Sequence, residues 1–161
     1  MQRLDLVLQR MAEACLKLKP EKCQLLKPEV AFLGHLVSDK GIQLNPDNIA
    51  KILAMPEVRQ LLGMGSYYRR FIKGFSALVK PLSELTKKTN DFIWKEECQT
   101  AFEKLKQAFV STDIMSFLQD EGEFYLDTDA SNTVIGAVLS QVQDGQTKVI
   151  YYGSRTLNKT E

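Results

Sequence analysis

Apolar residues at the start of the chain recur at intervals of three and four: Leu4, Val7, Leu8, Met11, Cys15 and Leu18. That spacing predicts an amphipathic helix over residues 2–18, stopped by Pro20, with a stripe that needs a cover. The next stretch, CQLLKPEVAFLGHLVSDKGIQL, reads as short strands at 23–26 and 31–37. Asp39-Lys40-Gly41 then turns the chain into a third extended piece. Asn45-Pro46-Asp47 is a helix start, with a capping side chain, a proline at the first helical position and an early acid. Ile49, Ile52 and Leu53 give that helix its buried side, and Pro56 interrupts it. A further helix is expected from 57 to about 73, burying Val58, Leu61, Leu62, Tyr68 and Ile72. Gly63 and Gly65 each weaken it by about 1 kcal/mol relative to Ala.

Another helix is predicted over 76–88, kinked near Pro81, and one more over 96–109, where Cys98, Ala101, Phe102, Leu105, Ala108 and Phe109 form one stripe. After it the period falls to two. Residues 123–129, 134–141 and 148–154 read as three antiparallel strands, the last two joined through Asp144-Gly145, a strong hairpin signal. The order is helix and hairpin, then a helical middle, then a small sheet: an α+β chain.

Composition is that of a soluble globular protein, with no apolar run long enough to span a bilayer and no signal-peptide core. Cys15, Cys23 and Cys98 lack paired spacing and read as reduced thiols of an intracellular protein. The sole histidine, His35, cannot build a metal cluster by itself. A formal net charge of +1 hides segregation. Residues 59–88 hold seven Lys/Arg against the single acid Glu84, whereas 113–129 hold six acids and no base. Such a division suits a chain that holds a polyanion with one part and a divalent metal with another; two solvated faces would look the same.

The candidate chemistry lies in Phe124-Tyr125-Leu126-Asp127-Thr128-Asp129. Alternation puts Asp127 and Asp129 on one face of a strand, where they repel each other unless a cation or strong donors intervene. A calcium loop is excluded, because Asn132 stands where its glycine belongs and Val138 where its bidentate glutamate belongs. An exposed strand end remains the alternative to a metal site.

The stretches LDTDASNTVIGAVLSQ and VIYYGSRTLNKTE resemble the first three strands of the RNase H domain in gypsy-type long-terminal-repeat retrotransposon polyproteins. LKLKPEKCQLLKPEVAFLGHLVSDKGIQLNPDNIAKILAMP resembles the end of the reverse transcriptase palm, and VRQLLGMGSYYRRFIKGFSALVKPLSELTKK the thumb-like segment after it. FIWKEECQTAFEKLKQAF is similar to the connecting helix before RNase H. The resemblance implies a palm remnant over 1–45, a helical thumb and connection over 46–112 and an RNase H-like segment over 113–161.

It also implies roles. Asp129 takes the place of the first metal-binding carboxylate, in a centre where two Mg²⁺ ions about 4 Å apart activate a water and stabilise the leaving oxygen. Phe32, Leu33, Gly34 and His35 fall on the hairpin that grips the primer terminus. Tyr67, Tyr68, Arg69, Arg70 and Lys73 fall on the helix that tracks the duplex; the cations neutralise phosphates, and the tyrosines pack on sugars or on the core. The partners implied are an RNA–DNA hybrid or DNA duplex and the rest of the polyprotein, with no membrane. There are departures as well. No Tyr-x-Asp-Asp occurs, the second RNase H acid would lie on a helix beginning near Glu161, and the link around Met55-Pro56 is short. The expectation is a fragment or degraded copy of such a polyprotein, whose parent activity is RNA-directed DNA synthesis with hydrolysis of RNA in RNA–DNA hybrids; this chain is expected to perform neither and to hold no Mg²⁺ stably. The alternatives are a non-catalytic nucleic-acid-binding module or a product with no selected function.

Overall fold

The computed structural model describes residues 2–87 and 89–158. Lys88 of the basic run and residues 159–161 of the last quoted stretch lie outside them. The first helix, α1 (Gln2–Glu13), is five residues shorter than its apolar spacing suggests. It stops because Cys15 turns left-handed (φ 56°), so Leu16 N donates to Met11 O at 2.9 Å and Cys15 N to Ala12 O at 3.0 Å. That pair of bonds satisfies the last carbonyls of the helix before Pro20 is reached. Val7 and Leu8 stay exposed, as expected of an uncovered stripe.

The strand expected at 23–26 is absent. Pro20–Lys22 is a single 3₁₀ turn, and Leu26 sits at φ 56° with its side chain in solvent, a conformation that cannot pair in a sheet. Nor is 31–37 one strand. It divides into β1 (Glu29–Phe32) and β2 (His35–Ser38), antiparallel with Phe32 opposite His35, and β3 (Gly41–Leu44) completes a sheet in the order β1-β2-β3. The break is the two-residue turn Leu33-Gly34, whose φ values of 46° and 82° define the tight turn that matches strand twist.

Asn45 caps α2 (Pro46–Leu53) as its sequence requires, its side chain accepting from Asp47 N at 3.0 Å. The expected helix to 73 is instead α3 (Val58–Tyr68) followed by a 3₁₀ turn at Arg69–Phe71, after which Gly74 at φ 65° redirects the chain. α4 (Phe75–Leu85) keeps Pro81 inside it, and α5 (Glu96–Val110) follows. The last three strands, β4 (Phe124–Ala130), β5 (Val134–Gln143) and β6 (Gln146–Thr156), form the expected antiparallel meander, with Gln143 opposite Gln146 across Asp144-Gly145.

One core joins these parts. Ile52, Leu61, Tyr68, Leu82, Leu105 and Phe109 are fully buried between α2, α3, α4 and α5, and Val149 and Tyr152 of β6 pack against them. Met115 belongs to this core and exchanges two backbone hydrogen bonds with Ile42, tying the first sheet to the segment that leads into the second. The start of α4 shows the same sharing. Its N-cap residue is Gly74, which has no side chain to offer, and the free N–H of Ser76 donates to Ser154 Oγ on β6 at 2.9 Å. The two hydroxyls also meet, Oγ to Oγ, at 3.1 Å. The sheet therefore caps the helix.

Replacing that cap should cost what a local cap costs. Ser154→Ala is expected to lower unfolding free energy by about 1 kcal/mol, read from a chemical denaturation curve; an unchanged midpoint would show that α4 does not depend on β6.

Candidate nucleic-acid interface

The Leu33-Gly34 turn is fixed by two consecutive tyrosines from α3. Tyr67 Oη donates to Leu33 O at 2.9 Å, and Tyr68 Oη donates to Gly34 O at 3.2 Å. Gly34 O also accepts from Asn45 N at 3.1 Å and from Asn48 Nδ2 at 3.4 Å. Asn48 Nδ2 is a further donor to Tyr68 Oη, at 3.1 Å. A Cβ on Gly34 would strike the Tyr68 hydroxyl, so glycine is required here by φ and by close approach together. The backbone is held while the tip is left bare: Phe32 and Leu33 are 62% and 69% exposed.

His35 sits under this turn, buried among the rings of Tyr67, Tyr68 and Phe71 at centroid distances of 5.3–5.7 Å. Its Nδ1 lies 3.0 Å from Leu33 O, which fixes the proton on Nδ1, while buried Nε2 has no hydrogen-bond partner among the described residues. Burial pushes its pKa below the usual 6.5, the Arg70 charge pushes the same way, and the carbonyls of Leu33 and Phe32 oppose them. Of the other residues implied by resemblance, Tyr68 is in the core at 1% exposure. Tyr67, Arg69 and Lys73 are exposed, and Arg70 lies over the Phe71 ring with its guanidinium carbon 5.0 Å from the centroid.

One feature of α3 was overlooked in the sequence. Arg59, Gly63 and Tyr67 stand at i, i+4 and i+8, hence on one face, and all three are exposed. A Cβ on Gly63 would meet nothing within 4 Å. The chain's own packing gives no reason for glycine there; the four-residue spacing was the available signal.

The acidic strand end is on β4. Asp127 is opposite Val138 and Asp129 opposite Gly136, both carboxylates exposed and on the face turned towards α4. They share a cleft of about 210 Å³ with Lys73 and Gly74, and Gly136, opposite Asp129, puts no side chain on that face of the sheet. Ser131 holds the turn beyond, its Oγ accepting from Val134 N at 3.1 Å and Thr133 N at 3.3 Å. Among the described residues no three His, Cys, Asp or Glu side chains come together as a metal site. Mg²⁺ demands near-octahedral coordination and several fixed ligands, so this pair alone does not complete a magnesium centre.

Because His35 is held neutral, the unfolded chain takes up its proton first. Stability is then full above about pH 6.5 and falls as pH drops below it. The melting temperature should decline between pH 7.5 and 5.5, and His35→Gln should flatten that decline; an equal decline in both proteins would remove His35 as its source.

Residues 94–161 match the model for the RNase H-like domain found in reverse transcriptase. The retrovirus-related Pol polyprotein from transposon 297 of Drosophila melanogaster is 41% identical over 165 residues, covering 98% of this chain and 15% of the polyprotein. That from transposon opus of the same species is 38% identical over 175 residues, covering 98% and 17%. The Tf2-3 polyprotein of Schizosaccharomyces pombe is 36% identical over 144 residues, covering 86% and 11%. The chain thus spans only 11–17% of the length of these relatives. Among solved structures, the foamy viral protease-reverse transcriptase in complex with RNA/DNA hybrid superposes with TM-score 0.79 at 25% identity, over 99% of this chain and 23% of that one. A foamy viral protease-reverse transcriptase dRH complex with double-stranded DNA gives 0.80 at 25% identity, over 98% and 29%. No described helix is long and apolar enough to cross a membrane. Matched over nearly its whole length by these polyproteins and by reverse transcriptase structures, the chain belongs to the transposon Pol polyproteins, with the RNase H-like domain of reverse transcriptase at 94–161.

Proposed function

We propose that this part of the polyprotein grips a template–primer duplex, the β1–β2 tip and the outer face of α3 forming one surface, with Arg69, Arg70 and Lys73 on the phosphates. The observation that carries the reading is Gly63. An exposed glycine in mid-helix costs stability and answers no internal contact, so its use is to let something outside approach the backbone. Arg59 and Tyr67 flank it at one helical turn on either side, a cation for phosphate and a ring for sugar. The solved relatives in complex with double-stranded DNA and with RNA/DNA hybrid support the same polyanion.

Asp129 belongs, in this reading, to a hybrid-cleaving centre whose other acids are not among the described residues. Divalent metal would supply an activated water and stabilise the leaving oxygen there. The described residues contribute an exposed carboxylate pair, kept in place by the Ser131 turn, and no step is assigned to them beyond that. A non-catalytic grip is the second reading: among the described residues no third acid stands with Asp127 and Asp129.

The test is affinity for a labelled RNA–DNA hybrid against salt, by fluorescence anisotropy. Arg69→Ala with Arg70→Ala should weaken binding by about 1–3 kcal/mol and flatten the salt slope by roughly two units. Gly63→Ala should raise fold stability by about 0.5–1 kcal/mol and still weaken hybrid binding. A Gly63→Ala protein that is more stable and binds equally well would contradict the reading.

A further inference from the structure

Beside Arg59, at the start of α3, a cleft of about 610 Å³ opens towards the end of α4 and the start of α5. Its wall is aromatic, formed by Phe92, Trp94 and Phe102. The Phe92 and Trp94 rings stack at a centroid distance of 6.4 Å and 25° between planes, and Phe102 meets Trp94 edge-on at 5.9 Å. Trp94 Nε1 donates to Gln99 Oε1 at 3.1 Å, which fixes the indole plane. These rings are presented rather than buried: Phe92 is 66% exposed and Trp94 40%. A folded chain has no internal use for a stacked aromatic pair in solvent, since burying either ring would be favourable.

The shape and charge of the cleft narrow its occupant. Stacked rings with open faces suit a flat, polarizable group, and Arg59 on the rim has no ion-pair partner among the described residues. Arg59 is also the end of the line Arg59, Gly63, Tyr67 on the outer face of α3. A strand leaving a duplex at this end would meet the guanidinium first and the rings next. The Glu57 carboxylate lines the cleft too; it keeps a phosphate out of the interior and offers an acceptor to the amino group of a base.

We propose that this cleft takes one unpaired nucleotide of a single strand that continues from the gripped duplex. The base stacks on Phe92 and Trp94, and its phosphate stays at Arg59. Stacking on exposed aromatics with a cation on the backbone is how single strands are held without sequence preference. The inference rests on the duplex reading above. An apolar peptide would use the rings and leave Arg59 idle, and it is an outcome of the test.

Trp94 is the sole tryptophan of the chain, so its emission reports the cleft directly. The full chain is titrated with a blunt RNA–DNA hybrid, with the same hybrid carrying a short single-stranded overhang, and with the single strand alone. The overhang should quench Trp94 and tighten binding about tenfold over the blunt hybrid. Phe92→Ala should abolish that gain and leave blunt-hybrid affinity unchanged; the ring is mostly exposed, so the core survives its loss. Equal binding of blunt and overhanging hybrids, equal weakening of both by Phe92→Ala, or quenching by a proline-rich peptide and not by the overhang would each overturn the proposal. If neither hybrid binds while the single strand still quenches Trp94, the duplex reading fails and the cleft assignment stands. If nothing binds, both fail.

Discussion

Two phenol hydroxyls on adjacent residues of one helix reach the two carbonyls of one β-turn, and the candidate interface is organised by that contact. Leu33 at positive φ is unfavourable by itself, and its neighbour must be glycine. The turn persists because Tyr67, Tyr68, Asn48 and the backbone of Asn45 satisfy its carbonyls from outside the strands. The strands belong to a small three-stranded sheet, and these hydrogen bonds anchor the projecting β1–β2 tip to α3. His35 completes the seat as a neutral ring among rings, which ties the position of the tip to the packing of α3.

The same economy recurs at the other end of the molecule. α4 begins at a glycine and receives its cap from Ser154, while β6 contributes Val149 and Tyr152 to the helical core. The turn that carries Lys73 is thereby held against the sheet that carries Asp127 and Asp129, and a basic and an acidic group share one cleft although 54 residues separate Lys73 from Asp127. One lysine and two carboxylates are thus placed side by side by packing that involves none of them.

Much of this was legible in the residues. The α5 stripe, the Asn45 cap and the Asp144-Gly145 meander were readable because each signal is local and agrees with its surroundings. The errors fell where a backbone angle overrode an apolar pattern. Leu26 and Leu33 look like strand residues and sit at positive φ, and Cys15 ends a helix whose apolar spacing runs on to Leu18. Leucine and cysteine carry no warning of a left-handed turn, unlike glycine or asparagine. At the candidate interface, resemblance picked out Phe32, Leu33, Gly34 and His35 together, but only coordinates separate the exposed tip from the buried His35. Gly63 reads in the sequence as a weak point in a helix, because the open space around it shows only in the fold.

In the proposed grip, the hairpin tip binds nucleic acid only when α3 holds it. Tyr68 tests it cleanly, since its ring is 1% exposed and cannot itself touch a ligand. Tyr68→Phe removes one hydroxyl and two of the contacts around Gly34. Amide hydrogen exchange over residues 32–35, measured with and without RNA–DNA hybrid, should show faster opening of the free hairpin and several-fold weaker hybrid binding. Faster opening with unchanged hybrid affinity would show that the tip does not depend on α3 for binding.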